Sequence, residues 1–106
     1  MDVVIDNKRT GVKATNIEEY FPEAPLGACI WYPKLNKLSF ACPGCGLFGG
    51  VRIGHPKPKQ TPSWDITKGS PEDVTTLTIR PSINCVGCCG WHGFLNQGVF
   101  ELEARD

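Results

Sequence analysis

Residues 85–98 of this 106-residue chain read CVGCCGWHGFLNQG, and residues 42–46 read CPGCG. In the earlier segment a Pro-Gly pair separates two cysteines, a spacing that turns both sulfur atoms toward one point. The later segment offers three more cysteines and a histidine, and these ligand types complete tetrahedral zinc sites. The two segments therefore predict one structural metal site that joins distant parts of the chain.

The composition favours a single small β-rich domain. A chain of 106 residues with 41% hydrophobic residues has a modest core, which a bound metal would reinforce. Twelve glycines and nine prolines are typical of turns and short strands. We expect a mostly β fold, a small single-domain antiparallel sheet stapled by a zinc-knuckle or zinc-ribbon-like site.

The chain divides into two parts in this interpretation. Residues 1–28 are expected to form a peripheral N-terminal arm, with a short strand at 3–5 and one helical turn over 16–21 that Asn16 caps. Residues 29–106 are expected to form the zinc-binding β domain. Its predicted strands cover residues 29–32, 38–41, 47–53, 64–67, 74–79, 91–95 and 99–102, the last two joined by a turn over 96–98.

Charge and hydropathy exclude several classes of partner. Eleven basic and eleven acidic side chains cancel, so no overall field draws the chain to nucleic acid. No run approaches the roughly 18 apolar residues that cross a bilayer, and the acidic start does not resemble a secretory signal. These features predict a cytoplasmic protein whose partner is another protein, met through shape and apolar contacts.

The six cysteines have a second interpretation. In an oxidising compartment they would form three disulfides. The Cys-Pro-Gly-Cys spacing and the histidine beside the second cluster fit a metal in a reducing cytosol better.

A set of short motifs carries a family resemblance. They are Cys42-Pro-Gly-Cys45-Gly, Trp64 followed by Gly69, Pro81-Ser82-Ile83, residues 89–98 and Val99-Phe100. Over residues 38–102 they resemble a family of small phage and bacterial proteins of unknown function, whose relatives lie beside bacterial ubiquitin-like conjugation genes. The resemblance implies a small zinc-binding domain, phage-encoded and located in the host cytoplasm or the virion.

Phage members of that family carry an ammonia monooxygenase label. Such an oxygenase needs a copper or iron site built from several imidazoles, whereas this chain has only His55 and His92. The composition therefore argues against the label.

The resemblance also suggests a ligand set, since its Cys-x-x-His pattern aligns with Cys89 and His92. The zinc ligands expected from this alignment are Cys42, Cys45, Cys89 and His92. The rival second pair is Cys85 and Cys88, which would give four thiolates. The sixth cysteine, Cys29, is interpreted as a small buried hydrophobe.

Two functions follow from the sequence. The first is a zinc-stapled protein without catalytic activity, a virion component or host-interaction accessory that acts through protein-protein interaction. It is favoured because zinc would occupy His92, leaving His55 as the remaining histidine, and because no serine-centred motif is evident. The alternative is a zinc-dependent hydrolase acting on peptide or isopeptide bonds, with Asp65 as a base beside a zinc-bound water.

Overall fold

A computed structural model of the protein describes residues 9–54, 63–85 and 89–103. These residues form short β-strands and one turn of 3-10 helix at Pro33–Leu35. The strands are β1 (Val12–Lys13), β2 (Thr15–Asn16), β3 (Ala28–Tyr32), β4 (Lys37–Ala41), β5 (Phe48–Arg52), β6 (Asp65–Ser70), β7 (Asp73–Arg80), β8 (Ile83–Asn84), β9 (His92–Asn96) and β10 (Val99–Leu102). No helix long and apolar enough to cross a membrane occurs in the described part of the chain.

The strands form two four-stranded sheets and a hairpin. One sheet has the order β1-β10-β9-β8, the other has the order β2-β3-β4-β5, and β6 pairs with β7. All these pairs are antiparallel except β2 with β3. The predicted mostly β, antiparallel class is confirmed.

The core lies where the two sheets meet. Alternate residues of a strand point to opposite faces, so Leu38 and Phe40 of β4 face inward, as does Leu95 of β9. Phe40 meets Phe100 of the other sheet with ring centroids 5.3 Å apart. Buried apolar side chains of β7 complete the cluster, namely Val74, Leu77 and Ile79.

The N-terminal segment differs from its predicted form. The helical turn over 16–21 is wrong, because Asn16 lies in β2 and uses its side chain for long-range bonds. Its amide donates to the Pro71 carbonyl at 3.3 Å, and its carbonyl oxygen accepts from the Val74 amide at 2.9 Å. Residues 12–16 contribute to both sheets, and Ala14 between them is 2% exposed. The strand predicted at 3–5 lies outside the described residues.

The strands predicted at 64–67 and 74–79 form a hairpin with shifted bounds. β6 continues to Ser70 and β7 starts at Asp73, so both strands are longer than predicted. Ser70 Oγ accepts from the Glu72 amide at 3.1 Å within the turn that joins them. The terminal hairpin turns at Gln97 and Gly98, whose φ angles of 49° and 78° both suit a tight hairpin turn.

Candidate active site and thiol cluster

Three cysteines from the two predicted segments lie together. The sulfur atoms of Cys42, Cys45 and Cys89 all lie within 4.8 Å of one another, and the Cys42 and Cys89 sulfurs are 3.6 Å apart. The five described cysteines are free thiols, so the disulfide interpretation finds no support among them. This cluster could hold a metal ion.

A local turn orients the sulfur atoms of Cys42 and Cys45. After β4 the chain reverses over Cys42–Gly46, with the Gly46 amide donating to the Cys42 carbonyl at 2.8 Å. The Gly44 amide donates to Cys42 Sγ at 3.3 Å, as the Pro-Gly spacing requires. Burial raises the pKa of the Cys42 thiol far above its ordinary value, against smaller opposing effects of backbone hydrogen bonds. A thiolate at this position therefore needs a nearby cation.

The remaining predicted ligands have different positions. Cys85 is a hydrogen-bonding neighbour of Cys42. Its carbonyl accepts a hydrogen bond from the Gly90 amide at 2.9 Å. Cys88 lies outside the described residues. His92 does not belong to the group of ligand atoms that lie within 4.8 Å of one another, and its two ring nitrogens contact other side chains.

His92 lies between a serine and a glutamate. Its Nε2 is 2.8 Å from Ser82 Oγ, and its Nδ1 is 3.0 Å from Glu103 Oε2. A carboxylate only accepts hydrogen bonds, so Nδ1 carries a proton toward Glu103. Neutral His92 then presents the Nε2 lone pair to the Ser82 hydroxyl. This is the hydrogen-bond order of a serine nucleophile, a histidine base and an acid that orients the base.

Strand register brings the three residues to one face. β8 and β9 pair Asn84 with His92, and Ser82, two residues before Asn84 and directly before β8, lies on the same face. β9 and β10 pair Leu102 with Gly93, and the Glu103 amide donates to the His92 carbonyl at 3.1 Å. Glu103 is therefore directly opposite His92. The Trp64 indole donates to the Ser82 carbonyl at 3.2 Å, which fixes the serine from the other side.

The sequence interpretation missed Ser82 and Glu103, although one signal for the glutamate was available. A two-residue turn at 97–98 sets the register of the terminal hairpin, and that register pairs residue 92 with residue 103. Ser82 follows a proline outside any recognised nucleophile motif. Its partner is settled by the tertiary pairing of β8 with β9.

The comparisons with known proteins give one match. A family model described as "Bacterial ubiquitination-like system serine protease (BubE)" matches residues 18–102. The match includes Ser82 and His92, and Glu103 follows it directly. It agrees with the expected relatives near bacterial ubiquitin-like conjugation genes. No curated protein and no solved structure matches the chain.

This match corrects the expected function. A zinc-stapled protein without catalytic activity, acting through protein-protein interaction, is wrong, because the matching family is described as a serine protease. The alternative of a hydrolase acting on peptide or isopeptide bonds is closer. Its expected chemistry used Asp65 as a base beside a zinc-bound water, whereas the structure brings a serine, Ser82, to His92.

Proposed function

The chain belongs to the family of bacterial ubiquitination-like system serine proteases (BubE), and we propose that Ser82, His92 and Glu103 are its catalytic triad. The observation that carries this proposal is the pair of contacts on His92, 2.8 Å to Ser82 Oγ and 3.0 Å to Glu103 Oε2. Each contact is short enough for a hydrogen bond that assigns one role to each nitrogen.

In the first half of the reaction, Ser82 Oγ attacks the carbonyl carbon of the scissile amide. His92 Nε2 takes the hydroxyl proton as the carbon–oxygen bond forms. Glu103 holds the ring in the productive tautomer and stabilises the imidazolium. His92 then gives that proton to the departing amine, the carbon–nitrogen bond breaks, and an acyl ester remains on Ser82.

In the second half, water replaces the amine. His92 takes a proton from the water as the water oxygen attacks the ester carbon. The bond between that carbon and Ser82 Oγ then breaks, and His92 returns the proton to Ser82 Oγ. The products are a carboxylic acid and the free enzyme. Burial of part of the site favours this chemistry: the side chains of His92 and Glu103 are 28% and 29% exposed, so their charges are partly shielded from water.

The substrate in this proposal is a protein of a ubiquitination-like system, cut at a peptide or isopeptide bond. The family description supports the system and the class of bond. The partial exposure of His92 and Glu103, together with the exposed Asn84 beside Ser82, supports a macromolecular substrate that reaches the site from the surface.

The thiol cluster has a structural role in this proposal. Cys42, Cys45 and Cys89 would hold a zinc ion, and Cys85, a hydrogen-bonding neighbour of Cys42 outside that close group, would supply the fourth thiolate. Zinc supplies a cross-link between the turn after β4 and the segment after β8, which starts three residues beyond Ser82. Four thiolates leave no open position for a catalytic water, and His92 stays available to Ser82.

Cleavage of a proteome-derived peptide mixture, read by mass spectrometry of new amino termini, tests the proposal. We expect cleavage by the wild-type protein and a loss of at least about a thousandfold in rate for Ser82→Ala and His92→Gln. Glu103→Gln should lose about a hundredfold or more, because the amide no longer orients and charges the base correctly.

Two matched variants control for general damage. Ser39→Ala removes a serine of β4, and Glu101→Gln neutralises a carboxylate of β10 that bonds Asn96 at 3.1 Å and not His92. Both should cleave at the wild-type rate. Equal rates for Ser82→Ala and the wild-type protein would refute the proposal.

A further inference from the structure

The inner face of β5 has a gap at Gly49. Gly49 pairs with Phe40 across β4 and β5, so a side chain at residue 49 would point to the buried face shared by Phe40 and Val51. A Cβ built at Gly49 would have no atom within 4 Å. The sheet thus lacks a packed side chain at a position where its neighbours are buried.

This gap opens into an apolar cleft of about 410 Å³. The cleft runs between the edge strands of the two sheets, from β5 to β8. At the end of β5, Trp64 bonds the backbone of Arg52 and Gly54. The large side chains that line the cleft are Phe40, Leu47, Phe48, Val51, Trp64 and Ile83. The lining also includes Asn84 and the thiol residues Cys42 and Cys85 at the end next to the thiol cluster. Among the described residues that line it, none carries a carboxylate, ammonium or guanidinium group, so the aromatic and aliphatic part fits an uncharged, apolar ligand group.

The cleft adjoins the proposed nucleophile. Ile83 follows Ser82 in the chain, and the Trp64 indole that lines the cleft donates to the Ser82 carbonyl at 3.2 Å. His92 lies on β9, on the other side of β8. In the triad reaction the amine leaves on the histidine side, because the histidine protonates it. The cleft lies across β8 from His92, which makes it available to the acyl part of the substrate.

Backbone groups at both rims suit an extended peptide. In the antiparallel pairing of β4 with β5, Gly50 is opposite Ser39 in a non-hydrogen-bonded pair, so its N–H and C=O point away from β4. Asn84 has the same arrangement relative to β9. Within the described residues, neither residue has a backbone hydrogen bond on that side. An added strand can pair with either edge.

We propose that this cleft is a specificity pocket, which takes an apolar side chain on the acyl side of the scissile bond from an extended substrate segment. The inference rests on the proposed function, with Ser82 as nucleophile. The chemistry of the lining selects leucine- or phenylalanine-like side chains over small or charged ones.

Fluorogenic peptides test the selectivity. The substrates are acetylated tetrapeptides whose last residue is joined to a fluorescent aminocoumarin by the scissile amide. In each set one of the four positions is varied among Leu, Phe, Ala, Asp and Lys. At one position we expect kcat/KM for Leu or Phe to exceed that for Ala about tenfold or more, as filling a hydrophobic pocket does. Charged residues should be the worst substrates at that position.

Substitution of Gly49 tests whether the selectivity arises in this cleft. Gly49→Phe should fill the cleft and lower kcat/KM for the best peptide at least about tenfold, and Gly49→Ala should fall between it and the wild-type protein. Arg52→Phe is the matched control, because residue 52 is an exposed residue of β5 that does not line the cleft. It should match the wild-type protein.

Labelling of Ser82 by a small alkyl fluorophosphonate separates the two claims. The pocket is supported if all three variants are labelled at the wild-type rate and only the Gly49 variants lose the apolar selectivity.

The pocket is refuted, while Ser82 stays the nucleophile, if labelling is intact but no apolar preference exists, or if Gly49→Phe has the selectivity of the wild-type protein. A lower Tm for Gly49→Phe with unchanged selectivity means that the protein's own chain fills the cleft, which also overturns it. A wild-type protein that neither labels nor cleaves overturns both claims.

Discussion

A single histidine shows how strongly a side chain's neighbours decide its chemistry. His92 lies three residues from Cys89, a spacing typical of zinc ligands. In β9, however, neighbouring residues point to opposite faces, and His92 faces Ser82 and Glu103. Both ring nitrogens thus have hydrogen-bond partners in this structure. The triad role that we propose for His92 follows from these contacts, and its role as a zinc ligand stays a prediction.

The buried thiol of Cys29 allows a prediction of how stability depends on pH. It is fully buried, its thiol donates to the Gly27 carbonyl at 3.2 Å, and burial raises its pKa from 9.0 to about 12. In the unfolded chain the thiol ionises near pH 9, so the unfolded state gains stability above that pH while the folded state does not. The free energy of unfolding should thus fall between pH 9 and pH 12, by about 2 kcal/mol at pH 10.5.

Urea denaturation of the wild-type protein and of Cys29→Ala at neutral and alkaline pH measures this effect. Lysine and tyrosine titration is common to both proteins, so the difference between them isolates Cys29. The variant should be less stable at neutral pH and should approach the wild-type protein near pH 10.5. A constant difference across the range would contradict the assignment of the slope to this thiol.

Among the elements, the β9–β10 hairpin has the greatest influence on the site. Its turn at Gln97 and Gly98 fixes the register that places Glu103 opposite His92. Gly98 has a φ of 78°, and a Cβ there would overlap the Thr75 carbonyl oxygen of β7. The glycine is thus required both for the turn and for its contact with the neighbouring hairpin.

Gly98→Ala should destabilise the protein by about 2 to 4 kcal/mol, combining left-handed strain with the backbone overlap. Gly11→Ala is the matched control, since Gly11 has a φ of 81° but no atom within 4 Å of its Cβ. That variant should lose only about 1 to 2 kcal/mol. Urea denaturation compares the two, and equal losses would show that the contact with β7 carries no cost.

At the scale of the whole molecule, the thiol cluster joins the ends of the two sheets. Cys42 and Cys45 follow β4 of one sheet, while Cys85 and Cys89 lie between β8 and β9 of the other. A metal there ties the strand edge that carries Ser82 to the opposite sheet. Metal-binding free energy then becomes folding free energy.

Metal removal should consequently lower Tm and protease activity together. A strong chelator, or Cys45→Ser, should lower Tm by about 10 °C or more, as expected for a loss of several kcal/mol in a domain of this size. Cys29→Ala should keep one zinc per chain by elemental analysis. An unchanged Tm after complete removal of the metal would contradict the structural role.

The sequence supports some of these conclusions better than others. Strands at 29–32, 38–41 and 99–102 follow from β-branched and aromatic residues between turn residues, and the structure contains them. The juxtaposition of Cys42 with Cys89 follows from ligand chemistry. The helical turn at 16–21 fails because the bonds of Asn16 to the β6–β7 turn are non-local. The triad was missed for a related reason: Ser82 meets His92 only through the pairing of β8 with β9.

The most direct test of the triad is covalent labelling of Ser82. An alkyl fluorophosphonate reacts with a serine only when a neighbouring base activates its hydroxyl. Intact-mass spectrometry should show one adduct per wild-type chain, and peptide mapping should locate it on Ser82. His92→Gln should slow labelling at least about a hundredfold, and Ser82→Ala should abolish it. An unlabelled wild-type chain, or an adduct on another serine such as Ser39, would contradict the assignment of Ser82 as the nucleophile.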